Sequence, residues 1–306
     1  MSEGTTDLPN AVIQDERPLS GEGVPPADEP LPAHEEDKAA EKVGAEAAGR
    51  GPPPDAIPEG YTPITQFLQD DIFIVGYPRS GHTWFQVLVA GVVYGVDPRF
   101  GPLDLVNHLV PDSDFSKYYR RYTPSMFFKS HSLPCPEYRK VVYLLRDGRD
   151  VMVSYLHFHE AKADKKLDFL TYVSAETPLY PCHWAVHVDA WLENPYHAQR
   201  LQIRYEDLLS DPVSELKRFC EFAGISRDQR YLTAIAEAAS FRNLHDIEAR
   251  TGFGWPVPQF PRDKFFFRRG KSGSYKDEMP PEVLERFLQH SGETLRRCGY
   301  LTADSS

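Results

Sequence analysis

Apolar residues fall along the chain in two alternating forms. Short, nearly continuous runs close on glycine or arginine, as in Asp71-Ile72-Phe73-Ile74-Val75-Gly76 and in Val141–Leu145 before Arg146. Such runs predict parallel strands covered on both faces. Longer stretches follow each run. Thr83–Tyr94 is apolar nearly all round and predicts a buried helix, and a second helix is expected over Asp150–Ala161. A third strand is expected at Leu201–Tyr205, followed by a helix to Ala223 with Asp211 as N-cap and Pro212 as its first residue. Asp228–Ala238 and Pro281–Arg297 also fit helices, and no internal repeat is visible. Strands alternating with helices predict an α/β fold, a central parallel sheet flanked by helices.

Composition changes this picture at the N-terminus. Positions 1–60 hold ten prolines, 14 acidic residues and 4 basic ones. Too little apolar surface is available there to offset the entropy of ordering. We therefore expect a disordered tail over 1–60, with a frayed helix around Glu35–Ala48, and a single folded domain over 61–306. The overall net charge of -11 belongs mostly to that tail, because positions 61–306 carry 31 acidic and 30 basic residues. A nearly neutral domain gives no support for a nucleic-acid partner. No apolar run approaches the roughly 20 residues of a membrane helix, and the acidic opening Met1-Ser2-Glu3-Gly4 does not read as a secretory signal. The four cysteines, at 135, 182, 220 and 298, are scattered without a CxxC pair. Reduced thiols in a cytoplasmic setting are expected, with no metal site.

Candidate chemistry begins where the first strand meets the first helix, at Gly76-Tyr77-Pro78-Arg79-Ser80-Gly81-His82-Thr83-Trp84. A helix start offers free backbone N–H groups and partial positive charge, which suit a phosphate. Gly81 permits close approach, Arg79, Ser80 and Thr83 supply donors, and Trp84 has a flat face for a base. The spacing imitates a Walker A loop, but His82 stands where that loop requires lysine, and the next apolar strand ends at Arg146 rather than on an acidic metal ligand. A nucleoside triphosphatase is disfavoured. By itself the loop is also compatible with an ordinary glycine-containing turn.

Three separated segments then share one resemblance. Tyr77–Trp84 resembles the YPKSGTTW phosphosulfate loop of cytosolic sulfotransferases, with Arg79 for lysine and His82 for the first threonine. Arg146-Asp147-Gly148-Arg149-Asp150-Val151-Met152-Val153-Ser154-Tyr155 resembles the family's RNPKDVAVSYYHF segment, continued by His157-Phe158. Phe266-Phe267-Arg268-Arg269-Gly270-Lys271-Ser272-Gly273 resembles FMRKGxxGDW, with Ser274-Tyr275 in place of Asp-Trp. Arg204-Tyr205-Glu206-Asp207 is similar to the YED motif, and Ser240-Phe241 to a Thr-Ser-Phe stretch with Ala239 replacing threonine.

The resemblance, from about Asp71 to Gly299, implies a P-loop-like strand–loop–helix site for 3′-phosphoadenosine-5′-phosphosulfate, used without a metal. It implies nucleotide contacts from Arg79, Ser80, Gly81, His82, Thr83 and Trp84 at the 5′ end. Arg146 and Ser154 would hold the 3′-phosphate, joined by Phe267, Arg268, Arg269 and Gly270, while Tyr205, Ser240 and Phe241 border the base. Tyr205 is also compatible with a core position. Arg149 and Asp150 read more simply as a helix start or surface ion pair. Phe128-Lys129-Ser130-His131-Ser132-Leu133-Pro134 resembles KTHLP. His131 is then the general base, since imidazole titrates near neutral pH. Lys129 and Arg79 would stabilise charge on the transferring group. His157, His159, His183 and His187 read as packing or surface histidines in helices.

The implied reaction moves a sulfuryl group to a hydroxyl or amine of a small molecule, lipid or carbohydrate. Two other classes stay in view, a small-molecule kinase with a degenerate loop and a non-catalytic nucleotide-binding module. Phe67, Phe100, Phe115, Tyr118 and Tyr119 are candidates either for an apolar acceptor pocket or for the core. A homodimer is left open, because Lys276 and Glu285 match a family dimer motif whose Thr-Val centre is displaced by Pro280-Pro281.

Overall fold

A computed structural model describes residues 57–251, 261 and 264–302. Of the tail expected over 1–60, residues 1–56, with the helix at Glu35–Ala48, lie outside the described residues.

The central sheet is four parallel strands in the order β4-β2-β5-β6: Phe127–Ser130, Ile72–Gly76, Lys140–Leu145 and Gln199–Arg204. A separate antiparallel pair joins β1, Thr62–Pro63, to β3, Tyr118–Tyr119. All five residues of β2 are buried, and their alternation supplies two different cores. Phe73 and Val75 join one apolar cluster with Met152, Trp184 and Phe287, whereas Ile72 and Ile74 join another with Phe85, Leu88 and Phe219. A strand feeding two layers has no polar face to spare, hence its continuous apolar run.

Helices cover both faces. His82–Tyr94 follows β2, and ten of its residues are buried. Gly148–Ala163 follows β5, opened by Asp147, whose side chain accepts from the Arg149 N–H. Pro212–Ala223 starts as expected, with Asp211 accepting from the Ser214 N–H and proline in the first turn. Gln229–Ala238 is capped by Asp228, and Pro281–Arg297 closes the chain.

Three features depart from the pattern-based expectation. Strand β6 ends at Arg204, and Tyr205 begins the short helix Tyr205–Ser210. The helix after β5 starts two residues early, because Asp147 rather than Asp150 caps it. The edge strand β4 carries Lys129 and Ser130, which interrupt the apolar run that would have marked it. Register places Ile74 opposite Lys129 and Val75 opposite Ser130, so the β4 motif emerges beside the loop that follows β2.

Candidate active site

The loop after β2 is held in a backbone shape that few residues tolerate. Arg79 has φ 69° and Gly81 φ 101°. A side chain on Gly81 would also meet the Tyr205 ring at 2.9 Å. Glycine at 81 thus satisfies both the left-handed backbone and the close approach of Tyr205.

Arg79 turns across the site. Its Nε donates to Ser154 Oγ at 3.2 Å and an Nη to the Phe266 carbonyl at 3.3 Å. The guanidinium lies 4.2 Å from the Phe266 ring centroid and 5.1 Å from that of Phe158. Burial, then the neighbouring Arg146, pull it down to about 10, so it stays charged at neutral pH. Arg146, buried at the carboxyl end of β5, donates to the Arg79 carbonyl at 2.9 Å and lies 4.2 Å from the Tyr205 ring. Two like charges are gathered, and among the described residues no carboxylate is bonded to either arginine. Such an arrangement suits an anion.

Unpartnered polar atoms mark the same place. Among the described residues, six buried side-chain nitrogen or oxygen atoms lack a hydrogen-bond partner. Five of them are Tyr77 Oη, Ser80 Oγ, both ring nitrogens of His82, and Arg146 Nε. Buried polar groups without partners cost roughly 1–3 kcal/mol each, and they are uncommon in native proteins. Their concentration on one loop and one adjacent arginine fits a ligand rich in acceptor oxygens.

His131 approaches the loop from β4. Its Nδ1 lies 2.9 Å from the Gly76 carbonyl oxygen. A carbonyl only accepts, so Nδ1 carries the hydrogen, and the neutral ring keeps its lone pair on Nε2. Burial and then the Lys129 charge lower its pKa, which favours that neutral form. The His82 ring stands 4.3 Å away, centroid to centroid. Behind His131, its carbonyl oxygen accepts from His187 Nε2 at 3.1 Å, and Trp191 donates to the next carbonyl, that of Ser132, at 3.0 Å. Asp114 binds the front of the turn. It accepts from the His131 backbone N–H, from Ser130 and Ser132 hydroxyls at 2.8 Å each, and from Tyr180 at 3.3 Å. Sequence reasoning missed Asp114, His187 and Tyr180, which lie outside every recognised motif.

Lys129 is nearly buried and paired with Asp112 at 2.6 Å. Its charge is therefore balanced by a carboxylate, whereas Arg79 bonds a hydroxyl and a carbonyl. Trp84 is 8% exposed and donates from its indole to the Ala239 carbonyl at 2.8 Å. Its ring packs edge-on to Tyr205 within the same apolar cluster. Tyr205 is buried yet contacts Arg146, combining the core and site roles. Ser240 accepts at 3.4 Å from the Asn243 N–H at the start of the helix Phe241–Thr251. Phe241 stacks edge-on to Phe267, and a side chain on Gly270 would collide with Phe241 at 2.1 Å. Thr83 is half-buried in the first turn of its helix.

The basic segment folds over this centre. Arg268 lines a cavity of about 550 Å³ together with Arg79, Ser154, His157 and Phe158. Of the two readings of Arg149 and Asp150, the helix start holds, since both lie in the first turn of Gly148–Ala163, and the surface ion pair does not, since both are buried. Asp150 accepts from the Gly273 and Tyr275 N–H groups, at 2.6 and 2.9 Å, and so fastens the basic segment to the helix Gly148–Ala163. Arg149 is bonded to Asp147 and to the Tyr300 carbonyl. His157 and His187, read as packing or surface residues, each hold a polar partner: His157 bonds Glu278, and His187 supports the His131 turn.

The family model for the sulfotransferase domain matches residues 69–299, spanning every segment just described. The chain belongs to the sulfotransferase family. Curated relatives of this sulfotransferase include cytosolic sulfotransferase 1 of Arabidopsis thaliana, 28% identical over 70% of this chain and 75% of that protein. A flavonol 3-sulfotransferase of Flaveria bidentis is 28% identical over 75% and 83%. The fold is shared with retinol dehydratase solved with androsterone and the inactive cofactor PAP, at TM-score 0.60 and 20% identity over 76% of this chain and 82% of that one. A mouse sulfotransferase complexed with PAP gives TM-score 0.55 at 19% identity, covering 76% and 86%. This sulfotransferase is thus an enzyme of PAPS-dependent sulfuryl transfer. No helix among the described residues is long and apolar enough to cross a membrane.

Proposed function

We propose that this sulfotransferase binds 3′-phosphoadenosine-5′-phosphosulfate across the loop Gly76–Trp84 and transfers its sulfuryl group to a hydroxyl, with His131 as general base. The observation that carries the reading is the concentration of buried, unpartnered polar atoms on Tyr77, Ser80, His82 and Arg146. Phosphate and sulfate oxygens are acceptors, whereas Tyr77 Oη, Ser80 Oγ, Arg146 Nε and one nitrogen of the neutral His82 ring are donors that lack one. The donor nucleotide, when bound, supplies an activated sulfuryl group and a stable leaving phosphate. Residues 61–306 form one sulfotransferase domain in this reading, supported by the family match over 69–299.

Each residue then has a task. Arg79 and the first-turn N–H groups steady charge at the 5′ end. Arg146, Ser154, Arg268 and Arg269 hold the 3′-phosphate, and Tyr205, Phe241 and Phe267 frame the base. His131 Nε2 takes the acceptor's proton while Nδ1–H stays anchored on the Gly76 carbonyl. The tautomer needed for a base is the one that this anchor selects. Lys129, paired with Asp112, lowers the basicity of His131 without reaching solvent.

The acceptor is a small molecule bearing a hydroxyl. Phe115 lies 5.7 Å from Tyr180, and Tyr180 lies 6.4 Å from His131, which puts an aromatic wall beside the base. Phe67 and Tyr119 pack in the aromatic core around Phe128, and Phe100 is 81% exposed, so those three are not part of that wall. The cytosolic relatives support a cytoplasmic setting.

A thermal-shift comparison tests the nucleotide. At 100 times its dissociation constant a ligand adds about 2.7 kcal/mol of stability. That gain is expected with 3′-phosphoadenosine-5′-phosphate and not with ATP plus magnesium. Stabilisation by ATP–magnesium alone would point instead to a kinase.

A further inference from the structure

Arg268 and Arg269 do not stand open. Arg268 donates to both Glu278 oxygens, at 2.6 and 3.0 Å, and Arg269 donates to the same carboxylate. His157 Nε2 lies 2.9 Å from it. Each Glu278 oxygen therefore receives two donors: Oε1 from the two arginines, Oε2 from Arg268 and His157. Three elements converge on one carboxylate: the helix Gly148–Ala163, the basic segment, and the short helix Tyr275–Glu278.

This is the coordination a phosphate would receive. The planar fork of arginine matches carboxylate and phosphate alike, and the two terminal nitrogens of one fork serve one bidentate anion at a time. Burial works against the Glu278 charge, but the bonds from Arg268 and Arg269 overcome it and hold the carboxyl down at about 2. It is anionic at neutral pH, and a phosphate dianion placed beside it meets like charge. We propose that Glu278 is an internal anion occupying the Arg268–Arg269 clamp, and that it sets the affinity for the donor's 3′-phosphate by competition. The inference rests on the reading of those arginines as the 3′-phosphate clamp.

The carboxylate is well placed to yield. Glu278 ends a four-residue helix, next to Met279 in extended backbone. Asp277 offers an alternative partner for the same loop, at 3.8 Å from Arg269 and 3.2 Å from Lys271. The basic segment itself stays fastened through Asp150 whichever anion fills the clamp. Glu278 is thus a specificity-determining residue: nucleotides carrying a 3′-phosphate must displace it, and those without one need not.

Binding of 3′-phosphoadenosine-5′-phosphate and of adenosine 5′-phosphate to the full chain, by calorimetry, tests this. Glu278→Gln keeps the shape and removes the charge. It should tighten the bisphosphate by roughly tenfold or more, the scale reached by relieving juxtaposed like charges, and leave the monophosphate within about twofold. Glu278→Ala should act in the same direction, and a cooperative melt well above the assay temperature establishes that each variant folds. Unchanged or weaker bisphosphate binding in both variants overturns the competition, as does equal tightening of both nucleotides. The clamp is tested separately by Arg268→Ala, which should erase most of the preference for the bisphosphate. If that preference survives, the clamp reading fails and the competition falls with it.

Discussion

At the scale of single residues, the proposed transfer turns on how one imidazole is held. His131 is fixed by Gly76 through its ring and by Asp114 through its backbone, and these two contacts make separate predictions. His131→Ala should cut turnover by about 100- to 10,000-fold, the usual range for general-base catalysis, while nucleotide binding persists. Asp114→Ala leaves the ring in place but frees its turn, together with Ser130, Ser132 and Tyr180. Turnover should drop by about 10- to 100-fold, since small misplacements of a catalytic group carry such costs. Nucleotide affinity should hold, and Asp114→Asn should recover part of the rate because one acceptor oxygen remains. Equal losses in affinity and turnover would show that Asp114 merely supports the fold. The pH profile adds a third check. Burial and Lys129 lower the His131 pKa, so His131 stays neutral through ordinary pH and protonates only on acidification. The acid limb of kcat/KM should lie below about 6.5, the ordinary imidazole value; a limb at or above that value contradicts the assignment.

At the scale of elements, the parts written in apolar periodicity were legible and the parts written in isolated polar contacts were not. The strands at Ile72 and Val141, the loop at Gly76–Trp84 and the cap at Asp211 all follow from local pattern. Strand β4 was hidden by Lys129 and Ser130, whose polarity serves the site rather than the sheet. The helix start at Asp150 was legible, but its tie to the basic segment was not, because its two partners, Gly273 and Tyr275, lie more than a hundred positions away. No local spacing encodes such a contact. The same contact yields a prediction about the loop. Asp150→Ala should weaken the bisphosphate nucleotide and lower stability by about 1–3 kcal/mol, the cost of two stranded N–H groups less whatever water recovers. Calorimetry and thermal melts measure both, and unchanged nucleotide affinity would separate the basic loop from the binding site. Gly81→Ala should similarly strain the anion loop, given its φ of 101° and the Tyr205 ring 2.9 Å from the added carbon.

Over the whole molecule, buried imidazoles tie the fold to pH. Burial lowers His187 to about 3 and His159 to about 4, both below the unfolded value near 6.5. Below that unfolded value the unfolded chain binds more protons than the native one, so stability is retained at higher pH and lost as pH falls from about 6.5 toward 4 and 3. Each of these histidines should remove about 2 kcal/mol by pH 5. Glu278, held at about 2 in the native state, adds its own loss only below about pH 5, where the unfolded carboxyl begins to take up a proton that the native one refuses. Denaturation at pH 7 and pH 5 should therefore show a marked loss, reduced in His187→Gln if that variant keeps the Tyr143 and His131 contacts.

The central claim, sulfuryl transfer assisted by His131, is tested most directly with a sulfur-labelled donor and a panel of phenols, sterols and sugars. The wild-type chain should move label from 3′-phosphoadenosine-5′-phosphosulfate to at least one hydroxyl, and His131→Ala should slow that transfer by about 100- to 10,000-fold with the nucleotide still bound. Transfer by His131→Ala within about threefold of wild type would contradict the role of the base, and nucleotide binding without transfer to any acceptor would contradict the claim itself.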